Sequence, residues 1–169
     1  MKELLKSGDI LLFKGGKWNK LLKGLFNKET RNWYFSRIFI QLFTLSRAVH
    51  TATYIKEGNK HFIVQSLFHE GVCKKEVDPN WILSKIKTKE IIICRQERFN
   101  KQRFDTRLKV CLGLKYSLLG IYRIGFFNIF GTKTSDSKGM FCSELTAHLH
   151  DLYSEPHLVS PADIETIFE

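Results

Sequence analysis

Of the four cysteines in this chain, Cys142 stands where a nucleophile would. A polar, glycine-ended loop, Thr132 to Gly139, delivers the chain to Phe141-Cys142-Ser143-Glu144-Leu145, which reads as the start of a final helix to about Tyr153. A thiol at a helix start meets the positive end of the helix dipole and backbone N–H groups without partners, and both favour thiolate. Cys73, Cys94 and Cys111 read instead as small buried hydrophobes. A cysteine nucleophile needs an imidazole to hold its proton and a third polar group to fix the ring's tautomer. His50 fits best among the six histidines, because the neighbouring strand offers Gln65 on the same face. His61 and His69 flank that strand and are expected at the surface, as are His148, His150 and His157 in or beyond the last helix. There is no CxxC pair, no HExxH and no helical His/Cys cluster, so neither a metal nor another cofactor is expected. The nucleotide-binding patterns GxxxxGK[ST] and GxGxxG are absent too.

The elements that must position these groups can be read from the same sequence. Val49 to Ile55 and His61 to Leu67 are strand-like runs joined by Glu57-Gly58-Asn59-Lys60, which suits a two-residue hairpin loop with Gly58 at positive φ. With Glu57 opposite Lys60, Ile55 faces Phe62, Tyr54 faces Ile63 and Ala52 faces Gln65. His50, Ala52, Tyr54, Ile63, Gln65 and Leu67 then project from one face, with His50 and Gln65 as diagonal neighbours. Ile10 to Phe13 follows a Ser7-Gly8-Asp9 turn signal as a short buried strand. Gly71 to Val77 adds another strand and Ile91 to Cys94 a further buried one. Residues 99 to 112 have helical spacing through Phe104, Leu108, Cys111 and Leu112, with Gly113 as the stop. Leu114 to Phe130 is apolar and glycine-punctuated, and its periodicity selects no element.

Two amphipathic stripes precede the hairpin. Trp18, Leu21, Leu22 and Leu25 form the first, with Lys17, Lys20 and Lys23 off it; Phe35, Ile38, Phe39, Leu42 and Leu45 form the second, within residues 33 to 46. Either core packing or contact with a membrane surface accounts for them. At 169 residues, with 43% hydrophobic and 26% charged residues, the chain is sized for one globular domain, residues 1–169. Its formal charge is +10, and residues 1–50 hold ten Lys/Arg against three Asp/Glu, whereas residues 134–169 hold one Lys against seven acids. That asymmetry points to an anionic partner at the N-terminal side. Unpaired cysteine spacing and a polar N-terminus lead to the expectation of a reducing compartment, cytoplasmic or peripheral to a membrane, without signal peptide or spanning helix.

In this order, Gly8-Asp9-Ile10, Val49-His50-Thr51-Ala52-Thr53-Tyr54-Ile55, Ile63-Val64-Gln65-Ser66 with Gly71-Val72, Gly113-Leu114-Lys115-Tyr116-Ser117, Phe141-Cys142-Ser143-Glu144-Leu145 and Ser160-Pro161-Ala162-Asp163 resemble a known family. It is the circularly permuted papain-like hydrolases of the YiiX/YaeF group, relatives of the NlpC-type cell-wall peptidases and of the lecithin:retinol acyltransferase group. The resemblance spans nearly the whole chain. It implies an α+β fold with helices on a mainly antiparallel sheet, Cys142 as nucleophile, His50 as general base and Gln65 as orienting residue. Tyr116 matches a tyrosine beside the oxyanion site. Gln65 departs from the acidic residue expected of the permuted group: an amide fixes the ring but does not stabilise imidazolium as a carboxylate does.

The expected reaction is hydrolysis of an amide, as in peptidoglycan stem peptides, through a thioester acyl-enzyme. The alternatives are a lipid-directed acyl hydrolase or acyltransferase, and a non-catalytic surface or scaffold protein that retains the fold. Lys17, Lys20 and Lys23 would meet an anionic membrane or cell-wall surface. A nucleic-acid partner is disfavoured, since no recognisable binding motif accompanies the charge.

Overall fold

Gly58, at φ +57°, turns the central hairpin, and the sheet grows outward from it. The computed structural model describes residues 4–15, 47–117, 120 and 139–168. Strands β1 (Ile10–Lys14), β2 (Ala48–Glu57), β3 (Lys60–Leu67), β4 (Gly71–Glu76) and β5 (Ile91–Cys94) form one antiparallel sheet in the order β4-β3-β2-β1-β5. Helix α1 (Pro79–Lys87) lies between β4 and β5 in the chain, and α2 (Lys101–Cys111), α3 (Cys142–His150) and α4 (Pro161–Ile167) follow β5. The architecture is α+β, as expected. Both amphipathic stripes before residue 47, most of the apolar stretch 114–130 and the polar loop before Gly139 lie outside the described residues.

Strand periodicity sorts the side chains onto two faces. Leu11, Ala52, Tyr54, Ile63 and Ile91 pack on one face with Ile82 of α1. On the other, Ile55, Val64 and Val72 meet Phe104 and Leu108 of α2 and Leu145 and Leu149 of α3, while Ile10, Leu12 and Cys94 meet Ala147 and Ile164. Helix α1 has no counterpart among the sequence expectations, although its start is written in the chain: the Asp78 carboxylate accepts from Asn80 N–H at 2.9 Å and Pro79 occupies the first turn. Helix α4 starts on a capping box in which Ser160 Oγ and the Asp163 carboxylate each serve the other's backbone N–H.

Two irregularities interrupt the sheet close to His50. The β2–β3 pairing runs Glu57↔Lys60, Ile55↔Phe62, Tyr54↔Ile63 and Thr53↔Val64, and there it ends. The expected register holds, but the expected Ala52–Gln65 pair is not part of the ladder. The second irregularity is a bulge. Phe13 pairs with His50 and Lys14 with Ala48, so Val49 is the extra residue. A bulge re-aims the side chains beside it, and Val49 and His50, neighbours on one strand, both line the same cavity.

Candidate functional site

The site forms where β2 and β3 part. Beyond Thr53 and Val64 each of the two strands makes a hydrogen bond to the segment entering α3: Ser66 Oγ donates to the Met140 carbonyl at 2.6 Å, and the Thr51 backbone hydrogen-bonds Cys142. Thr51 Oγ1 also lies 2.9 Å from Thr146 Oγ1, and Thr146 Oγ1 donates to the Cys142 carbonyl at 3.0 Å. The first turn of α3 is closed by the Glu144 carboxylate, which accepts from Phe141 N–H at 3.3 Å. Helix α3 is thus fastened to both strands of the fork, with Cys142 as its first residue.

Cys142 is 2% exposed. Burial by itself raises the thiol's pKa, yet the net direction is down, because the His50 charge, a hydrogen bond to the His50 ring and backbone hydrogen bonds from Thr51 and Ser143 all favour thiolate. Cys73 and Cys111 go the other way: burial pushes both up, with Glu70 and Glu144 respectively adding to it. His50 Nε2 is 2.9 Å from Gln65 Oε1. Since that oxygen can only accept, Nε2 carries a proton, and Nδ1 is left to exchange one with Cys142. The Phe13 ring packs against the imidazole with centroids 5.3 Å apart. Gln65, itself buried, holds the ring from β3.

Tyr116 arrives on a strap between β4 and the segment before α3. Val72 N–H donates to the Leu114 carbonyl at 2.8 Å, Gly113 N–H to the Val72 carbonyl at 3.0 Å, and Met140 N–H to the Lys115 carbonyl at 3.0 Å. The strap runs so close that a Cβ on Gly71 would stand 2.0 Å from the Leu114 oxygen, and one on Gly139 2.4 Å from the Lys115 oxygen. Burial first, and the nearby Cys142 second, raise the Tyr116 hydroxyl well above its ordinary pKa, so it remains a hydrogen-bond donor. The structure therefore brings Cys142, His50, Gln65 and Tyr116 together. His50, Gln65 and Tyr116 line a cavity of about 320 Å³ whose wall also includes Phe13, Phe68 and Trp81. Cys142 is buried next to His50, which does line the cavity.

Sequence reasoning missed the contributions of Ser66, Thr51 and Thr146, small hydroxyl residues whose role depends on the strands parting. It also misplaced His150. That ring is 4% exposed, lies 2.9 Å through Nε2 from Thr53 Oγ1 and packs against Phe99 and Phe104, because α3 lies along the sheet and brings its last residue back over β2. Burial pushes its pKa down to about 4. His61 is half-buried and shares a hydrogen bond with the Tyr54 hydroxyl, and His148 and His157 are also half-buried; His69 is exposed as expected. Lys17, Lys20 and Lys23 lie outside the described residues.

Among the described residues no group of three or more His, Cys, Asp or Glu could hold a metal ion, and no helix is long and apolar enough to cross a membrane. No family model and no curated protein matches the chain. Among solved structures it is similar to the metalloprotein YiiX from Escherichia coli O157:H7, DUF1105, at 14% identity and a TM-score of 0.43, over 78% of this chain and 69% of that one.

Proposed function

We propose that the chain is a cysteine hydrolase with a permuted papain-like arrangement, acting on an amide through Cys142, His50 and Gln65. One observation carries this reading: a single imidazole lowers the pKa of a helix-N-terminal thiol through its charge and a hydrogen bond, while its Nε2 lies 2.9 Å from a buried amide oxygen. That is what a nucleophile, a base and an orienting group require of one another.

In this mechanism His50 Nδ1 takes the Cys142 proton and the thiolate attacks the substrate carbonyl. The oxyanion is met by the Tyr116 hydroxyl and the Cys142 backbone N–H. The tetrahedral intermediate collapses to a thioester, and the leaving amine departs with the proton from His50. Water, deprotonated by the same imidazole, then attacks the thioester and returns the thiol and a carboxylic acid. Gln65 keeps Nε2 protonated and the ring aimed at sulfur throughout. Because it is neutral, the thiolate–imidazolium pair depends on the helix start and on the Thr51 and Ser143 backbones for its stabilisation.

Turnover of an acyl-amide library by the wild type, lost in Cys142→Ala and His50→Ala variants with intact folding, is the expected result. Release of product by the Cys142→Ala variant at the wild-type rate would remove the reading. The basic residues before the hairpin, Lys17, Lys20 and Lys23 among them, are proposed to bring the enzyme to an anionic membrane or cell-wall surface.

A further inference from the structure

The cavity beside His50 is selective in its walls. Phe13, Val49, Leu67, Phe68, Trp81 and Ile91 supply its apolar surface. Among the described residues its lysines and glutamate are paired: Lys85 Nζ lies 2.8 Å from Glu90 Oε2, and Lys14 Nζ lies 3.5 Å from Glu165 Oε1. A substrate carboxylate or ammonium entering here would have to compete with one of those pairs or reach the polar edge formed by His50, Gln65, Ser66 and Tyr116, whereas an apolar group gains by leaving water against the six apolar side chains. Trp81 is 42% exposed although its neighbour Ile82 is fully buried. One turn before Lys85 on α1, it places a large aromatic ring at the cavity rather than in the core.

We infer that this cavity takes an uncharged, apolar part of the acyl substrate, aliphatic or aromatic, and that Trp81 limits its length. The inference rests on Cys142 being the nucleophile, and it disfavours the carboxylate-bearing stem peptides of a cell wall. At about 320 Å³ the cavity is at the small end of ligand pockets, which run from roughly 300 to 1,000 Å³, so a short or medium chain fits and a long one does not.

The test compares labelling of Cys142 by iodoacetamide, its N-hexyl derivative, a derivative of equal length ending in a carboxylate, and the N-dodecyl derivative. Rates are normalised to those with N-acetylcysteine and the modified residue is mapped by peptide mass. The hexyl tail is expected to accelerate Cys142 labelling roughly tenfold over iodoacetamide, the scale on which apolar pockets discriminate small increments of chain, while the carboxylate tail gives no gain. In Trp81→Ala the ratio of dodecyl to hexyl labelling should rise. Labelling by iodoacetamide without any tail effect, a carboxylate tail as fast as hexyl, or an unchanged dodecyl ratio in Trp81→Ala overturns this inference alone. Failure of all four reagents at Cys142 overturns the nucleophile assignment together with it.

Discussion

Cys142 and His50 belong to opposite faces of one sheet and still share a hydrogen bond. His50 follows the alternation of Ala52 and Tyr54 on the α1 face, while Cys142 begins α3, which packs on the other. They meet because the β2–β3 ladder ends at Thr53↔Val64 and the segment 140–142 takes the hydrogen bonds of Thr51 and Ser66. The bulge at Val49 sets the angle at which His50 leaves its strand. Nucleophile and base thus rest on separately packed layers joined by a few polar contacts.

Gln65 tests the orienting contact. Gln65→Ala leaves the imidazole free to turn and should lower kcat/KM by about a hundredfold, the scale of a 1 Å misplacement. Gln65→Glu should keep or raise activity, because a carboxylate in the same place stabilises the charged ring. Steady-state kinetics of both variants decide it; a Gln65→Ala enzyme as active as wild type would dismiss the contact as incidental.

Ser66 fastens β3 to the start of α3. Its hydroxyl is fully buried, and Ser66→Ala leaves the Met140 carbonyl without that donor, at a cost of about 1–3 kcal/mol. Urea unfolding should show that loss, and Cys142 should label more slowly in the folded variant as the helix start loosens from the fork. Unchanged stability and unchanged labelling would leave the hydroxyl without a positioning role.

His150 makes stability depend on pH. Its ring titrates near 4 in the folded chain against an ordinary 6.5, so the unfolded chain binds this proton first as the pH falls. The neutral ring's contribution is complete above pH 6.5 and is lost on acidification toward pH 4, to a total of about 3 kcal/mol. Measured across that window by unfolding midpoints, wild type should lose stability relative to His150→Gln as the pH falls. Parallel curves would mean that the ring does not stay neutral.

The basic residues before the hairpin give a salt-dependent prediction. Neutralising Lys17, Lys20 and Lys23 together should cost roughly 3 kcal/mol of affinity for anionic vesicles at low salt, more than about a hundredfold. High ionic strength should erase most of that difference. Cosedimentation with anionic and neutral vesicles at two salt concentrations checks it, and negligible binding in all four conditions would refute it.

Much of this site could be read from the chain because hairpin register is a local property. Gly58-Asn59 sets the pairing, and the pairing puts His50 and Gln65 on one face at a separation their side chains span. The helix start at Cys142 was legible from the loop that precedes it. What the sequence did not disclose depends on tertiary events: the parting of β2 and β3, the extra residue Val49, and the return of His150 over Thr53, which the periodicity of a short terminal helix leaves undetermined. Helix α1 was missed for a different reason. Its Asp78-Pro79 start is a legible cap signal, but the flanking lysines dilute its apolar stripe to Trp81, Ile82 and Ile86.

Thiol pKa and thiol exposure pull in opposite directions in this chain, and Cys73 makes the contest fair. Cys73 is half-buried on β4 with its pKa raised, whereas Cys142 is almost inaccessible with its pKa lowered by its His50 partner. Intact-mass and peptide-mapping analysis after brief exposure to limiting iodoacetamide at pH 7 should find Cys142 modified ahead of Cys73, Cys94 and Cys111. In His50→Ala the Cys142 rate should fall by about tenfold or more, as each unit of lost pKa depression removes a factor of ten in thiolate. Modification of Cys73 first, with Cys142 untouched and indifferent to His50→Ala, would contradict the account.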